Sequence, residues 1–70
     1  MTDKTTKEIA KKLKQARLDN GLTQSELADK AGIHSNAYAK IERAERNPSL
    51  ETLEKLIKAL GLKSSDIFPF

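Results

Sequence analysis

The sequence contains no cysteine and no tryptophan, and only three of its 70 residues are aromatic. The lack of cysteine excludes disulfides and thiolate metal sites, and the single histidine cannot hold a metal ion alone. No apolar run approaches the roughly 18 residues that a membrane-spanning helix needs. The N-terminus also lacks the apolar segment of a signal peptide. We therefore expect a cytoplasmic protein with no cofactor, no metal and no membrane contact.

The length and the net charge of the chain limit the number of domains and indicate the charge of a possible partner. Seventy residues make one small domain, and such a domain buries only about 60% of the surface that its unfolded chain exposes. Lysine and arginine exceed the acidic residues by 13 to 10, and residues 1–20 hold the excess, with six basic against three acidic side chains. This bias favours an anionic partner, but many ordinary domains are equally basic.

The first 20 residues predict an arm followed by a helix. Residues 1–5 are polar and are expected to form a flexible N-terminal arm, whereas residues 6–70 form the single folded domain. The first helix is predicted from about Thr6 to Asn20. Its apolar stripe includes Arg17, and a buried guanidinium requires a partner. Glu42 is the candidate partner.

Segment 23–41, TQSELADKAGIHSNAYAKI, predicts two helices joined by a tight turn. Thr23 and Glu26 have the spacing of a capping box, so one helix begins directly after Thr23. Gly32 can adopt the positive φ that ends a helix sharply. The next helix then begins near His34.

The helix after this turn has two unlike faces. At about 100° per residue, Ala37, Tyr38 and Ile41 gather with His34 on one side. The other side combines hydrogen-bonding groups, one methyl side chain and two cations, namely Ser35, Asn36, Ala39, Lys40 and Arg43. An ordinary solvated helix more often carries Glu and Lys pairs there. This face therefore suits close approach to another molecule.

The rest of the chain predicts two more helices. Ser49 follows an asparagine-proline turn signal and is placed to cap the first of them. The apolar stripe of that helix consists of Leu50, Leu53, Leu56, Ile57 and Leu60. A short fifth helix is expected after Ser64, around residues 66–68. No segment predicts a strand, so the expected fold is an all-α domain of five short helices.

These residues together resemble the phage repressor and Cro type of helix-turn-helix domain, the XRE family. The resemblance covers about residues 7–68 and is strongest in GLTQSELADKAGI and KIERAERNPSLETLEKLIKALGL. In the family's turn pattern, fixed places belong to an alanine, a glycine and a large aliphatic residue; Ala28, Gly32 and Tyr38 hold them here. The resemblance implies a compact five-helix, lambda-repressor-like fold with the helix-turn-helix at residues 23–43.

The resemblance also implies roles for individual residues. Those expected to contact DNA phosphates are Thr23, Gln24, His34, Arg43, Arg46 and Asn47. Those expected to read base edges are Ser35, Asn36 and Lys40. Arg17 and Glu42 match a structural, buried ion pair of the family.

Three of these places leave alternatives open. His34 stands where relatives usually carry a Ser, Thr or Asp cap, so we expect an imperfect cap or a phosphate neighbour ahead of a base reader. The Tyr38 ring is expected in the core with its hydroxyl at the surface, and a phosphate contact is the alternative. Arg46 either contacts the DNA backbone or pairs with Glu45 in a solvated loop.

The function implied by the resemblance is that of a sequence-specific, double-stranded DNA-binding transcriptional regulator, bacterial or phage-encoded. One small domain makes few contacts, so a homodimer on a palindromic operator is expected. The expected dimer interface consists of Leu62, Ile67, Phe68 and Phe70. Ile67 and Phe68 are equally suited to covering the core.

The apolar C-terminus favours one alternative, an antitoxin-like module that binds a protein partner and has secondary DNA binding. An enzyme is the poorest interpretation, because no strained nucleophile turn, metal-ligand set or phosphate-cradling glycine loop is present. No small-molecule ligand is expected. The sequence does not distinguish a restriction-modification controller, a phage repressor and a plasmid regulator.

Overall fold

The computed structural model describes residues 4–63, and four α-helices occur in that range. They are α1 (Lys4–Asp19), α2 (Gln24–Ala31), α3 (Ser35–Glu42) and α4 (Leu50–Leu60). No strand occurs among these residues, in agreement with the predicted all-α class. None of the four helices is long and apolar enough to cross a membrane. The predicted fifth helix lies outside the described residues.

Helix α1 begins two residues before the predicted start, so Lys4 and Thr5 belong to the helix and not to the predicted arm. Thr6 explains the early start, because its side chain is buried and its hydroxyl donates a hydrogen bond to Oδ1 of Asn47. This contact anchors the first turn of α1 to the α3–α4 loop.

The predicted caps are present at the starts of α2 and α4. The Thr23 hydroxyl accepts the Glu26 N–H at 3.0 Å, and the Glu26 carboxylate accepts the Thr23 N–H at 2.8 Å, which completes the capping box. The Ser49 hydroxyl likewise accepts the Thr52 N–H at 3.1 Å. Such caps typically contribute about 1 kcal/mol each.

All four described helices end in the same hydrogen-bond pattern. In each, a backbone N–H beyond the helix reaches back to a carbonyl five residues earlier, a Schellman motif. These bonds are Leu22 to Arg17 (3.1 Å), Ile33 to Ala28 (2.9 Å), Glu45 to Lys40 (2.9 Å) and Leu62 to Ile57 (3.0 Å). A glycine is the left-handed residue at three of these ends, whereas Ala44 holds that place after α3 with φ at 61°.

The core lies where α2 packs against α3 and α4 while α1 packs against α3. Its largest fully buried side chains are Leu13, Leu27, Tyr38 and Leu56. Burying a leucine side chain contributes about 1.5–3 kcal/mol, so these few contacts carry much of the stability of a small domain. Leu50 departs from the predicted stripe and is 68% exposed, because it is the first residue of α4.

Candidate nucleic-acid interface

The short turn between α2 and α3 presents one face of α3 to solvent. Gly32 leaves α2 with φ at 74°, and two residues later α3 begins. Tyr38 and Ile41 on the inner face are buried, which fixes α3 on the core. The outer face is accessible: Asn36 and Lys40 are exposed, and Ser35 and Ala39 are half-buried. The three predicted base-reading residues therefore lie on the solvent side of one helix.

His34 caps α3, as expected. Its Nδ1 accepts the Asn36 N–H at 3.3 Å, while its own backbone is extended. The bond is long by ordinary criteria, which fits an imperfect cap. Because Nδ1 accepts, the neutral ring carries its proton on Nε2. The exposed imidazole can therefore donate to an acceptor beyond the helix end.

The start of α2 has the features of an anion site. Thr23 is exposed and Gln24 is half-buried at the first turn. Helix N-termini leave backbone N–H groups unpaired and carry partial positive charge, which suits a phosphate. The Thr23 hydroxyl accepts a bond from the Glu26 N–H and keeps its own proton, which it can donate to such a group.

Arg17 and Glu42 form a bidentate ion pair that joins α1 to the end of α3. Arg17 Nε lies 2.9 Å from Glu42 Oε2, and Nη2 lies 2.9 Å from Oε1. A third donor, Nη1, bonds the Leu22 carbonyl at 2.7 Å. The side chains are only 11% and 4% exposed. The guanidinium thus has a carboxylate and a backbone partner, which explains its place in an apolar stripe.

Burial and ion pairing shift the pKa of the Glu42 carboxyl group in opposite directions. Burial disfavours the charge of Glu42, but the two hydrogen bonds from Arg17 help to hold the pKa of Glu42 below its usual value. The hydrogen bond to Glu42 raises the pKa of Arg17. Both groups are therefore charged at neutral pH, and their role is structural.

Tyr38 is buried more deeply than predicted. The ring packs in the core as expected, but the hydroxyl is also buried and makes no hydrogen bond among the described residues. Both predictions for this hydroxyl, exposure at the surface and contact with a phosphate, are wrong because α3 turns this side inward. Burial, followed by the nearby Glu42 carboxylate, raises the pKa of the Tyr38 phenol, which stays protonated.

The α3–α4 loop contains a second, exposed ion pair. Arg43 Nε lies 2.6 Å from Glu45 Oε2, and the two side chains are 55% and 54% exposed. The alternative for Arg46 was a pair with Glu45 in a solvated loop. In the structure Glu45 pairs with Arg43 instead. Ala44, the residue between the two partners, has a left-handed backbone with φ at 61°.

A hollow of about 200 Å³ lies between this loop and α3. Ala37 borders it from α3, and Arg46, Asn47 and Ser49 border it from the loop. Arg46 and Asn47 are exposed. The hollow brings a cation, a carboxamide and the N-terminus of α4 together, groups that can bind a phosphate, but the rest of its lining is apolar and consists of Ile33, Ala37, Ile41 and Pro48.

The structure gives contacts for two residues, Thr6 and Leu62, that the sequence did not predict. Thr6 extends the buried stripe of α1 by one turn toward its N-terminus. A buried polar group needs a partner, and this rule applies to Thr6 as it does to Arg17. Leu62, predicted to lie in a dimer interface, packs partly against the domain's own core. The other interface residues, Ile67, Phe68 and Phe70, lie outside the described residues.

Comparison with known proteins agrees with this geometry. The helix-turn-helix family matches residues 13–68 of the chain. The sequence is also 35% identical over 71 residues to the control protein C.BamHI of Bacillus amyloliquefaciens, covering all of this chain and 88% of that protein. The chain belongs to the helix-turn-helix family. It is 42% identical over 59 residues to the immunity repressor of Bacillus phage phi105, but covers only 41% of that longer protein.

Solved structures of restriction-modification controller proteins share the fold. C.AhdI from Aeromonas hydrophila superposes with a TM-score of 0.87 at 30% identity, over 90% of this chain and 96% of that one. One chain of the C.Esp1396I tetramer, solved in complex with its natural 35-base-pair operator, superposes with a TM-score of 0.85 at 28% identity, over 90% of this chain and 83% of that one. These similarities extend beyond the helix-turn-helix to nearly the whole domain.

Proposed function

We propose that this protein is a sequence-specific, double-stranded DNA-binding transcriptional regulator that binds a palindromic operator as a homodimer. The observation that carries the proposal is the outer face of α3, where Ser35, Asn36 and Lys40 are accessible on a helix fixed by its buried inner face. An α-helix fits the major groove of B-DNA, where each base pair presents a distinct set of donors and acceptors.

The residues divide between positioning and reading. Donors for DNA phosphates are offered by Gln24 at the start of α2, by His34 just before α3, and by Arg46 and Asn47 in the loop after α3. Asn36 can bond adenine N6 and N7 together, and Lys40 can donate to guanine O6 and N7. Ala39 carries only a methyl group and allows the helix to approach the base edges closely.

A homodimer follows from the small number of contacts that one domain can make. Two recognition helices related by a two-fold axis would lie about 34 Å apart, one turn of B-DNA. Oligomeric binding has a precedent in C.Esp1396I, which crystallises as a tetramer with its operator. C.BamHI, which this chain matches along nearly its whole length, is likewise a control protein.

The test is selection of bound sequences from a random double-stranded DNA pool at a stated salt concentration. We expect a two-fold symmetric consensus, and sedimentation of the complex should give two chains per operator. Binding with no sequence preference would contradict the proposal. Stable copurification with a neighbouring gene product, together with absence of sequence preference, would instead favour a protein-interaction module.

Two variants separate the proposed roles on the selected operator. Asn36→Ala should relax base preference at one position of each half-site by about 1–3 kcal/mol. Gln24→Ala should weaken binding to all sequences similarly, because phosphate contacts carry no base information. Competition assays with single-base operator variants measure both. A uniform loss from Asn36→Ala would contradict its assignment to base reading.

A further inference from the structure

The contact between Thr6 and Asn47 joins parts of the chain that are 41 residues apart. Thr6 lies in the first turns of α1 and is 5% exposed, one of only two buried polar or charged residues within residues 4–63. Its hydroxyl donates to Oδ1 of Asn47, which lies in the α3–α4 loop and is exposed. A buried residue of α1 thus holds one end of an exposed side chain beside α3.

The direction of this hydrogen bond determines what Asn47 can offer. A carboxamide has an oxygen that only accepts and a nitrogen that only donates. Because Thr6 holds the oxygen, the nitrogen remains for solvent or a ligand. A donor suits an acceptor such as a phosphate oxygen, whereas the reversed carboxamide would present its oxygen and repel it. Asn47 also borders the hollow that Arg46 lines.

We infer that Thr6 is a positioning residue for DNA binding, which fixes the Asn47 carboxamide with its nitrogen toward a DNA phosphate. The inference rests on the proposed function. Thr6 itself is too buried to touch DNA, so it acts through Asn47. A side chain held in its bound rotamer before binding loses less conformational freedom on association, which favours affinity.

The test compares Thr6→Val, Thr6→Ser, Asn47→Ala and the double variant Thr6→Val/Asn47→Ala on the selected operator. Valine keeps the shape of threonine without the hydroxyl, and serine keeps the hydroxyl. We expect Thr6→Val to weaken binding about five- to tenfold, the range of one lost hydrogen bond. Thr6→Ser should restore most of that loss. The double variant should bind no more weakly than Asn47→Ala alone.

Salt dependence gives a second readout. Thr6→Val should leave the slope of log K against log salt unchanged, because no cation is removed. Arg46→Ala should lower that slope by about one, as expected for a lost phosphate contact from a cation. Circular dichroism of each variant at the assay temperature identifies any loss of fold, and binding is then compared at a lower temperature where all variants are folded.

The outcomes distinguish the inference from the function on which it rests. Wild-type affinity in Thr6→Val, or losses that add in the double variant, would overturn the positioning role alone. Absence of any sequence preference in the wild-type protein would overturn the proposed function and this role together. A loss shared by Thr6→Val and Asn47→Ala, restored by serine, would support the inference.

Discussion

Two arginine–glutamate ion pairs lie at the end of α3, and they differ in burial, in the number of hydrogen bonds and in the elements that they join. Arg17 and Glu42 are nearly buried, and three donors of the guanidinium have partners. Arg43 and Glu45 are more than half exposed and share one bond. The buried pair joins two helices, whereas the exposed pair lies within a three-residue turn.

This difference in burial determines whether each pair affects folding stability or binding. In the buried pair, removal of one partner leaves a charge with neither water nor a counterion, so the effect appears in folding stability. In the exposed pair, water replaces a lost partner at little cost, so stability hardly changes. Its charges instead remain available to a third, charged molecule. We therefore expect the first pair to control folding and the second to control DNA affinity.

The largest effect is expected from Arg17→Met. It strands the Glu42 carboxylate and removes the bond to the Leu22 carbonyl, so stability should fall by about 3–5 kcal/mol. That loss is a large part of the total stability of a domain this small. Urea denaturation followed by circular dichroism measures it. The control is Arg17→Met/Glu42→Leu, which removes both charges and should recover much of the loss. An unchanged unfolding midpoint in Arg17→Met would contradict the structural role.

The second largest effect is expected from acid, which should lower folding stability by protonating Glu42 of the buried pair. The pKa of Glu42 is lowered in the folded state, so the unfolded chain takes up the proton first as pH falls. The stabilisation is fully present above about pH 4.5, the ordinary value for a glutamate, and is lost as pH falls through the lower folded value. In urea denaturations between pH 6 and pH 2.5, Glu42→Gln should show a flatter acid dependence than the wild type.

Glu45→Gln is the matched control for that series. Pairing with Arg43 also lowers the pKa of Glu45, but the side chain is half exposed and solvent screens the interaction. Its removal should leave the acid dependence of stability close to that of the wild type. Equal slopes for Glu42→Gln and the wild type would show that other carboxylates cause the acid unfolding.

A smaller gain is expected from Ala44→Gly in the turn between the exposed partners. Alanine in the left-handed region is strained, and glycine is not, so stability should rise by about 0.5–1 kcal/mol. In a domain of this size, that corresponds to a few degrees in Tm. The reciprocal control is Gly32→Ala, which should destabilise through φ alone, because an added Cβ meets no atom within 4 Å. A lower Tm for Ala44→Gly would contradict this explanation.

The same turn shows why parts of the structure could be predicted and others could not. The ends of α1, α2 and α4 carry glycines at the left-handed residue, and the sequence marks them. The end of α3 has the same hydrogen bonds with Ala44, which gives no such signal. The Arg43–Glu45 pair depends on that turn, so charge spacing alone did not predict it.

Predictions based on local chemistry and helical period gave correct elements. They include the capping box at Thr23, the Ser49 cap and the apolar stripe of α4, all of which depend on residues close together in sequence. The exception in that stripe is Leu50, which lies at the helix end and is exposed. Contacts between distant segments were predicted only where a charge demanded a partner, as for Arg17. Thr6 has the same need in a weaker form, and its partner 41 residues away was missed. The depth of the Tyr38 hydroxyl depends on how α1 and α3 pack, which no local pattern specifies.

The smallest effect on stability, and an informative effect on binding, is expected from Glu45→Gln. Glu45 competes with a DNA phosphate for Arg43 and repels the phosphate itself, so its neutral analogue should bind the operator severalfold more tightly at low salt. Because these charges are exposed, salt should screen the difference, and it should shrink at higher ionic strength. Tm should stay near the wild-type value.

The matched control is Glu54→Gln on α4, which makes the same change in net charge outside this turn. An equal gain in affinity from Glu54→Gln would show that overall charge, and not the Arg43–Glu45 pair, limits binding.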